Sequence, residues 1–222
     1  MISKTGYAIT ENILSLSECN NLIDTLSSHL PNRGRAGSRH LMSSSIIENL
    51  AKDSRLMSMA QTTLGKNAVP FRATLFEKSG QANWLVVWHQ DTALPLQSHN
   101  DSKEWGPWSQ KTGILYAHAP SWALNRIMAL RVHLDASTRE NGSLKVIPRS
   151  HLAGVLSDEE VFQIAKKQEV KECLVGKGGI VVMRPLLIHS SSKAQIDKPR
   201  RVIHIEYADS LQLTENIRLA VA

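Results

Sequence analysis

The chain has 222 residues, 42% of them hydrophobic and 21% charged, which is enough apolar material for a sizeable core. That balance excludes a disordered or collagen-like protein, and the longest apolar stretches, LVVW and IVVM, have strand length rather than membrane-span length. The formal charge of +6 permits nucleic-acid binding without arguing for it, because the basic residues are scattered and not interleaved with stacking aromatics.

Through residue 66 the pattern is helical. Ser15 and Glu18 have capping-box spacing, and Leu16, Leu22, Ile23 and Leu26 recur at helical intervals behind them. A second helical stretch, residues 46–64, stops at Gly65, a C-terminal cap. From residue 70 the chain changes to eight short strand-like runs: 71–77, 84–88, 113–118, 127–134, 143–147, 180–183, 186–190 and 202–207. Asn141-Gly142 reads as a hairpin turn between the fourth and fifth runs, and Gly178-Gly179 opens the sixth. Residues 157–168 read as a helical insert. The expected fold is mainly β (α+β): a double-stranded β-helix, the cupin-like jelly roll, over residues 70–208. The helical prelude, 1–66, is expected to pack on one sheet, and residues 1–222 read as one domain.

The opening MISKTGYAITENILSL has no apolar run of signal-peptide length, so a soluble, cytoplasmic protein without a membrane partner is expected. Cys19 and Cys173 fit no disulfide or metal framework and read as two reduced thiols. Nine histidines against two cysteines steer a metal site toward imidazole and carboxylate ligands. The densest basic groups, Arg33/Arg35/Arg39 and Lys198/Arg200/Arg201, read as solvated faces or as a preference for an anionic substrate. The oligomeric state is left open.

Two histidines and one carboxylate on one face of a metal are the ligand set of non-haem iron oxygenases. A His-x-Asp pair supplies two of them, since residues two apart on an extended chain point the same way. Counting glutamate as well as aspartate, four such pairs occur: His89/Asp91, His99/Asp101, His133/Asp135 and His204/Glu206. Topology separates them. In an eight-stranded jelly roll the pair belongs just after the second strand and the distal histidine near the end of the seventh, which selects His89, Asp91 and His189. His133/Asp135 is the rival, but it leaves too few strands before His189 to close two sheets. Eleven residues beyond His189 stands Arg200, where a guanidinium fork can clamp the distal carboxylate of 2-oxoglutarate. Arg201 competes for that role, and only one of two strand neighbours can face inward.

The segments WHQD, ENGSLKVIPRSH and RPLLIHSSSKAQIDKPRRVIHIEY, in this order, resemble the phytanoyl-CoA dioxygenase family, including its ectoine hydroxylase branch. The resemblance spans roughly residues 70–208. It implies Fe(II) held by His89, Asp91 and His189, and 2-oxoglutarate anchored by Arg200. It also places Ser191 where some members make a co-substrate contact, and Arg131 where some face the substrate pocket; a salt-bridged structural arginine is the other reading of Arg131. The stretch TALPLQSHNDSKEWGPW departs from the ectoine hydroxylase pattern, which puts ectoine itself in doubt as the substrate.

The expected function is hydroxylation, or a related C–H oxidation, of a small molecule coupled to oxidative decarboxylation of 2-oxoglutarate. Asp91 argues against halogenation, which needs a small residue in its place. A non-catalytic cupin-like binding module, a zinc hydrolase, and the same oxygenase acting on nucleic acid or protein are the alternatives; no nucleic-acid partner is expected. Trp84 and Trp88 read as core residues. Residues 92–122, with Trp105 and Trp108, read either as a lid over the substrate or as a plain connection, and His118 as a substrate contact or ordinary strand polarity.

Overall fold

The computed structural model describes residues 2–29, 37–79 and 83–222, so Arg33 and Arg35 of the first basic group lie outside the described residues. A short helix α1 (Ile2–Thr5) and strand β1 (Tyr7–Thr10) precede helix α2 (Leu16–His29). Helix α2 begins as expected: the Ser15 N–H donates to Glu18 and the Glu18 N–H to Ser15 Oγ, at 2.7 and 3.2 Å. The 46–64 stretch is two helices, not one. After strand β2 (Gly37–Ser38), α3 (Ser45–Ala51) and α4 (Ser54–Leu64) are split because the Asp53 carboxylate caps the second by accepting from the Arg55 N–H at 2.9 Å. Gly65 ends α4, as the sequence predicts.

The remaining strands are β3 (Val69–Lys78), β4 (Val86–His89), β5 (Ala93–Leu96), β6 (Trp108–Lys111) and β7 (Ile114–His118). After a one-turn helix α5 (Ser121–Leu124) come β8 (Ile127–His133) and β9 (Leu144–Val146), then helix α6 (Asp158–Lys167) and β10 (Lys171–Cys173). The chain finishes with β11 (Ile180–Met183), β12 (His189–Ser191), β13 (Arg200–Ala208), β14 (Gln212–Thr214) and β15 (Ile217–Arg218). A six-stranded sheet, β1-β11-β8-β13-β3-β2, faces a four-stranded one, β10-β9-β12-β4, and all their pairings are antiparallel. This is the expected jelly roll. No helix among the described residues is long and apolar enough to cross a membrane.

Each of the eight expected runs contains a strand, but three assignments change. The third, β7, belongs to neither main sheet; it centres a separate three-stranded sheet, β5-β7-β6. The four-stranded sheet is completed instead by β10, whose three residues KEC carry no alternation of their own and are strand only because β9 pairs with them. The Asn141-Gly142 turn exists, with Gly142 at φ +77°, but β8 and β9 lie in different sheets, so the turn carries the chain across the roll and closes no hairpin. A Cβ at Gly142 would stand 2.4 Å from the Ser192 carbonyl oxygen, which explains the glycine. The prelude is also not wholly helical, since β1 pairs with β11, Tyr7 opposite Met183, and forms that edge of the large sheet.

Strands β8 and β13 lie inside the large sheet and are covered on both faces. Along β13 the alternation sends Ile203, Ile205 and Tyr207 to the prelude, where they meet Leu56, Ile47 and Ala60 in one apolar cluster. Tyr207 also donates from its hydroxyl to the Ala51 carbonyl at 2.9 Å, tying α3 to the sheet. The opposite face carries Arg200, Val202, His204 and Glu206 into the space between the sheets. Half of that space is apolar, filled by Ala129, Val146, Val181 and Leu187; the other half is polar and holds the candidate site. Leu56 is completely buried at the prelude–sheet contact. Leu56→Ala is expected to lower unfolding stability by about 3 kcal/mol, read from urea denaturation at an unchanged m-value; a loss under about 1 kcal/mol would show that the prelude adds little to the core.

Candidate metal centre

His89 closes β4 and His189 opens β12, and the two are directly opposed across that antiparallel pair. Their ring centroids are 4.1 Å apart. In each ring Nδ1–H donates to a carbonyl two residues back, Val87 for His89 and Leu187 for His189, both at 2.8 Å. This fixes the tautomer and leaves both Nε2 lone pairs free. Asp91 stands between them: its carboxylate oxygens lie 3.7 Å from His89 Nε2 and 3.5 Å from His189 Nε2. One ligand atom from each of the three residues falls within 4.8 Å of the others.

The backbone between the two nearer ligands is pinned. The Gln90 amide donates to the carbonyls of Gly154 and Leu186 at 2.8 Å and accepts from the Leu156 N–H at 2.9 Å, while the Asp91 N–H donates to Pro185 at 2.9 Å. Burial pushes His189 down to about 4, so its imidazole is neutral at neutral pH, the form that binds a metal. Burial opposes charge on Asp91, yet the imidazoles of His189, His89 and His204 and the Arg72 guanidinium outweigh it and hold the carboxyl below the usual range.

Two cavities meet at Asp91. The inner one, about 90 Å³, runs past His89 and His189 to Lys78, Arg131, Ser191 and Arg200. Arg200 is 3% exposed; its guanidinium donates to Ser191 Oγ at 3.2 Å, and its Nε and second terminal nitrogen have no partner. Its neighbour Arg201 turns the other way and grips Asp135 with two nitrogens at 2.7 and 2.9 Å. Arg131 also lines this inner cavity, bound to His204 Nδ1 at 3.2 Å and paired with no acid among the described residues, so it faces the pocket and is no salt-bridged strut. The outer cavity, about 290 Å³, extends from Asp91 along Arg72 and Tyr116 to Arg39 and Lys111. His118 lines it and shares a 2.8 Å hydrogen bond with Thr92.

Trp105 and Trp108 are not where a substrate contact was expected. Trp105 is buried in the apolar cluster around Leu94, Leu96 and Leu124, its ring against Trp122, and Trp108 packs on the same cluster. Neither lines the inner or the outer cavity. Within residues 92–122 the strands β5, β6 and β7 form one small sheet, whose Leu94, Leu96 and Ala117 are buried in this apolar cluster. Trp88 packs with Ile147 and Ile188 as core, whereas Trp84 lines the inner cavity, 5.4 Å from Lys78 Nζ. The other histidine–acid pairs have separate occupations. Asp135 holds Arg201, Glu206 holds Arg72, and His99 and Asp101 are exposed.

Lys78 was missed, although Arg72, Thr74, Phe76 and Lys78 alternate along β3 and all face the interior. The expected run stopped at residue 77, one short of it. Lys78 is Arg200's cross-strand partner and is 1% exposed; it donates to Ser191 Oγ at 2.7 Å and to the Ser192 carbonyl at 2.6 Å.

Residues 2–202 match the family profile described as phytanoyl-CoA dioxygenase (PhyH). The chain belongs to the phytanoyl-CoA dioxygenase family. It is therefore an iron- and 2-oxoglutarate-dependent oxygenase. No curated protein sequence matches it significantly. Among solved structures it resembles EctD from S. alaskensis with bound Fe, at 20% identity, with 100% of this chain and 84% of that one covered and a TM-score of 0.71. AviO1 from Streptomyces viridochromogenes Tue57 matches at 20% identity over 93% and 91% of the two chains, TM-score 0.67. The carbocyclase SnoK from nogalamycin biosynthesis matches at 14% identity over 94% and 81%, TM-score 0.68. At such identities the likeness is one of fold.

The donor set of this phytanoyl-CoA dioxygenase relative fits iron on its own evidence: two imidazole Nε2 atoms and one carboxylate converge, and no side-chain donor competes for Asp91 among the described residues. Two unpartnered guanidinium nitrogens at the far end of the inner cavity fit the distal carboxylate of 2-oxoglutarate. Asp91→Asn is expected to weaken Mn(II) binding, followed by electron paramagnetic resonance, by more than the roughly 10–100-fold lost with an outer-sphere partner. Unchanged affinity would remove Asp91 from the ligand set.

Proposed function

We propose that the chain, as one oxygenase domain over residues 1–222, oxidises a C–H bond of a small molecule, by hydroxylation or a closely related outcome. The iron ligands in this reading are His89 Nε2, the Asp91 carboxylate and His189 Nε2. Arg200, assisted by Lys78 and Ser191, holds the distal carboxylate of 2-oxoglutarate. The observation that carries the reading is the buried Arg200 fork with two free nitrogens, in the same small cavity as the three ligands.

Iron, when bound, supplies the activation of dioxygen that oxidative decarboxylation of 2-oxoglutarate to succinate and carbon dioxide requires. The protein's own residues do the positioning. Arg200 fixes one end of the keto acid so that its other end reaches the ligand atoms. Gln90 and the Val87 and Leu187 carbonyls hold the ligands rigid, so little reorganisation remains during reaction. Asp91 occupies the position a halide would need, which favours oxygen insertion. A small-molecule substrate is favoured by the modest volume of the outer cleft, about 290 Å³, and by the fold's relatives, one of which was crystallised with 2-oxoglutarate and 5-hydroxyectoine. The distinct 92–122 sequence speaks against ectoine as the substrate here.

Incubation with Fe(II), 2-oxoglutarate and air is expected to give iron-dependent succinate, lost in His189→Ala; no succinate under any substrate screen would overturn the reading. Arg200→Met and Lys78→Met are each expected to weaken 2-oxoglutarate binding by about 1.5–3 kcal/mol, the value of a hydrogen bond to a charged group. A pH effect follows from Lys78. Burial, then Arg200 and Arg131, push its amine down to about 7. A bound carboxylate restores the charge, so above that pH binding takes up a proton. Affinity should therefore fall as pH rises from about 7 to 9, by up to roughly tenfold per unit. Calorimetry in buffers of different ionisation enthalpy reads the uptake, which should vanish in Lys78→Met.

A further inference from the structure

The outer cavity has an uncompensated charge. Arg72 is matched by Glu206, its buried ion-pair partner, and is further held by the Ala93 carbonyl at 2.9 Å. Arg39 and Lys111, on the same cavity wall, have no acidic partner among the described residues. Lys111 Nζ lies 4.8 Å from the centre of the Tyr116 ring, and the Arg72 guanidinium lies 5.7 Å from the same centre. Tyr116 is in turn hydrogen-bonded to His40 at 2.8 Å. Three basic side chains, Lys111, Arg72 and His40, thus crowd one aromatic ring, with Arg39 on the same wall. The consequences are visible in their protonation: burial, then Arg39 and Arg72, lower Lys111, and burial, then Arg39, Arg72 and Lys111, lower His40.

Such crowding is a standing electrostatic cost to the folded protein, and a cleft lined by one sign of charge concentrates the opposite sign. The only carboxylate on this cavity is Asp91, among its described lining residues, and that one belongs to the metal end. Arg39 is exposed and Lys111 half-buried, so both reach an incoming solute without rearrangement. The cavity, about 290 Å³, sits at the low end of ligand sites, which suits a compact molecule.

We infer that the substrate is a small anion whose carboxylate or phosphate is bound by Lys111 and Arg39, with its reacting carbon directed along Arg72 and Tyr116 toward the edge of the metal at Asp91. This rests on the oxygenase reading for its chemistry, but the anion site stands on geometry that can be tested without turnover.

Protein loaded with zinc and saturating 2-oxoglutarate fills the inner cavity and is inert. Its melting temperature is then followed against inorganic phosphate in one arm and propionate in the other, with tetramethylammonium as the cationic control. At least one anion is expected to raise the melting temperature saturably, identifying the head group, while the cation does not. The apparent affinity should fall at least tenfold in Lys111→Gln/Arg39→Gln. Lys167→Gln, which removes a positive charge on exposed α6, should leave it unchanged. No stabilisation by either anion, or an equal response in the double variant, overturns the inference. Iron-dependent succinate formation without added substrate reports separately on the oxygenase reading, so the two can fail independently.

Discussion

His89 and His189 oppose each other across β4 and β12, and that register decides where everything else in the polar half of the roll must lie. Two imidazoles side by side, each locked through Nδ1 to its own strand, leave one direction in which both Nε2 atoms point. Asp91 is brought to that point because Gln90 anchors the chain between the ligands. The site is therefore a property of two short strands pinned by a buried amide. It does not depend on a flexible loop finding its place.

The cost of this arrangement is a charged interior. Lys78, Arg131 and Arg200 line one small cavity with no acid of their own among the described residues, and each is pushed toward its neutral form by burial. An interior built for stability alone would fill this space as the other half is filled, with Val146, Val181 and Leu187. Unsatisfied buried cations persist where a ligand will satisfy them. The charge falls into two sets: Lys78, Arg131 and Arg200 at the inner end, the place the proposed reading gives to the distal carboxylate of the keto acid, and a second set at the outer end beyond Asp91. The ligand atoms are where the two cavities meet.

Much of this was legible in the sequence. The order of strand-like runs separated the converging His-x-Asp pair from the other three, and the structure uses two of their acids elsewhere: Asp135 holds Arg201 and Glu206 holds Arg72. Strand alternation allowed only one of Arg200 and Arg201 inside, and β13 turns Arg200 inward. The same alternation applied to β3 would have exposed Lys78, had the run been extended by one residue. Trp105 and Trp108 misled because the sequence around them is rich in turn residues; what orders it is an apolar cluster contributed by distant strands.

The sequence alone determined the ligand types and their spacing and narrowed the inward-facing guanidinium to Arg200 or Arg201, because these depend on local periodicity and chain order. Tertiary structure alone decided which strands share a sheet: β10 joined β9, β7 was set aside, and the Asn141-Gly142 turn crossed between sheets. It also decided that Arg39 and Arg72 share a wall with Lys111 and Tyr116 of the β6-β7 pair, distant along the chain. Pairing partners and shared walls are contacts between residues distant in sequence, and their energies depend on what each meets on folding, which no local pattern encodes.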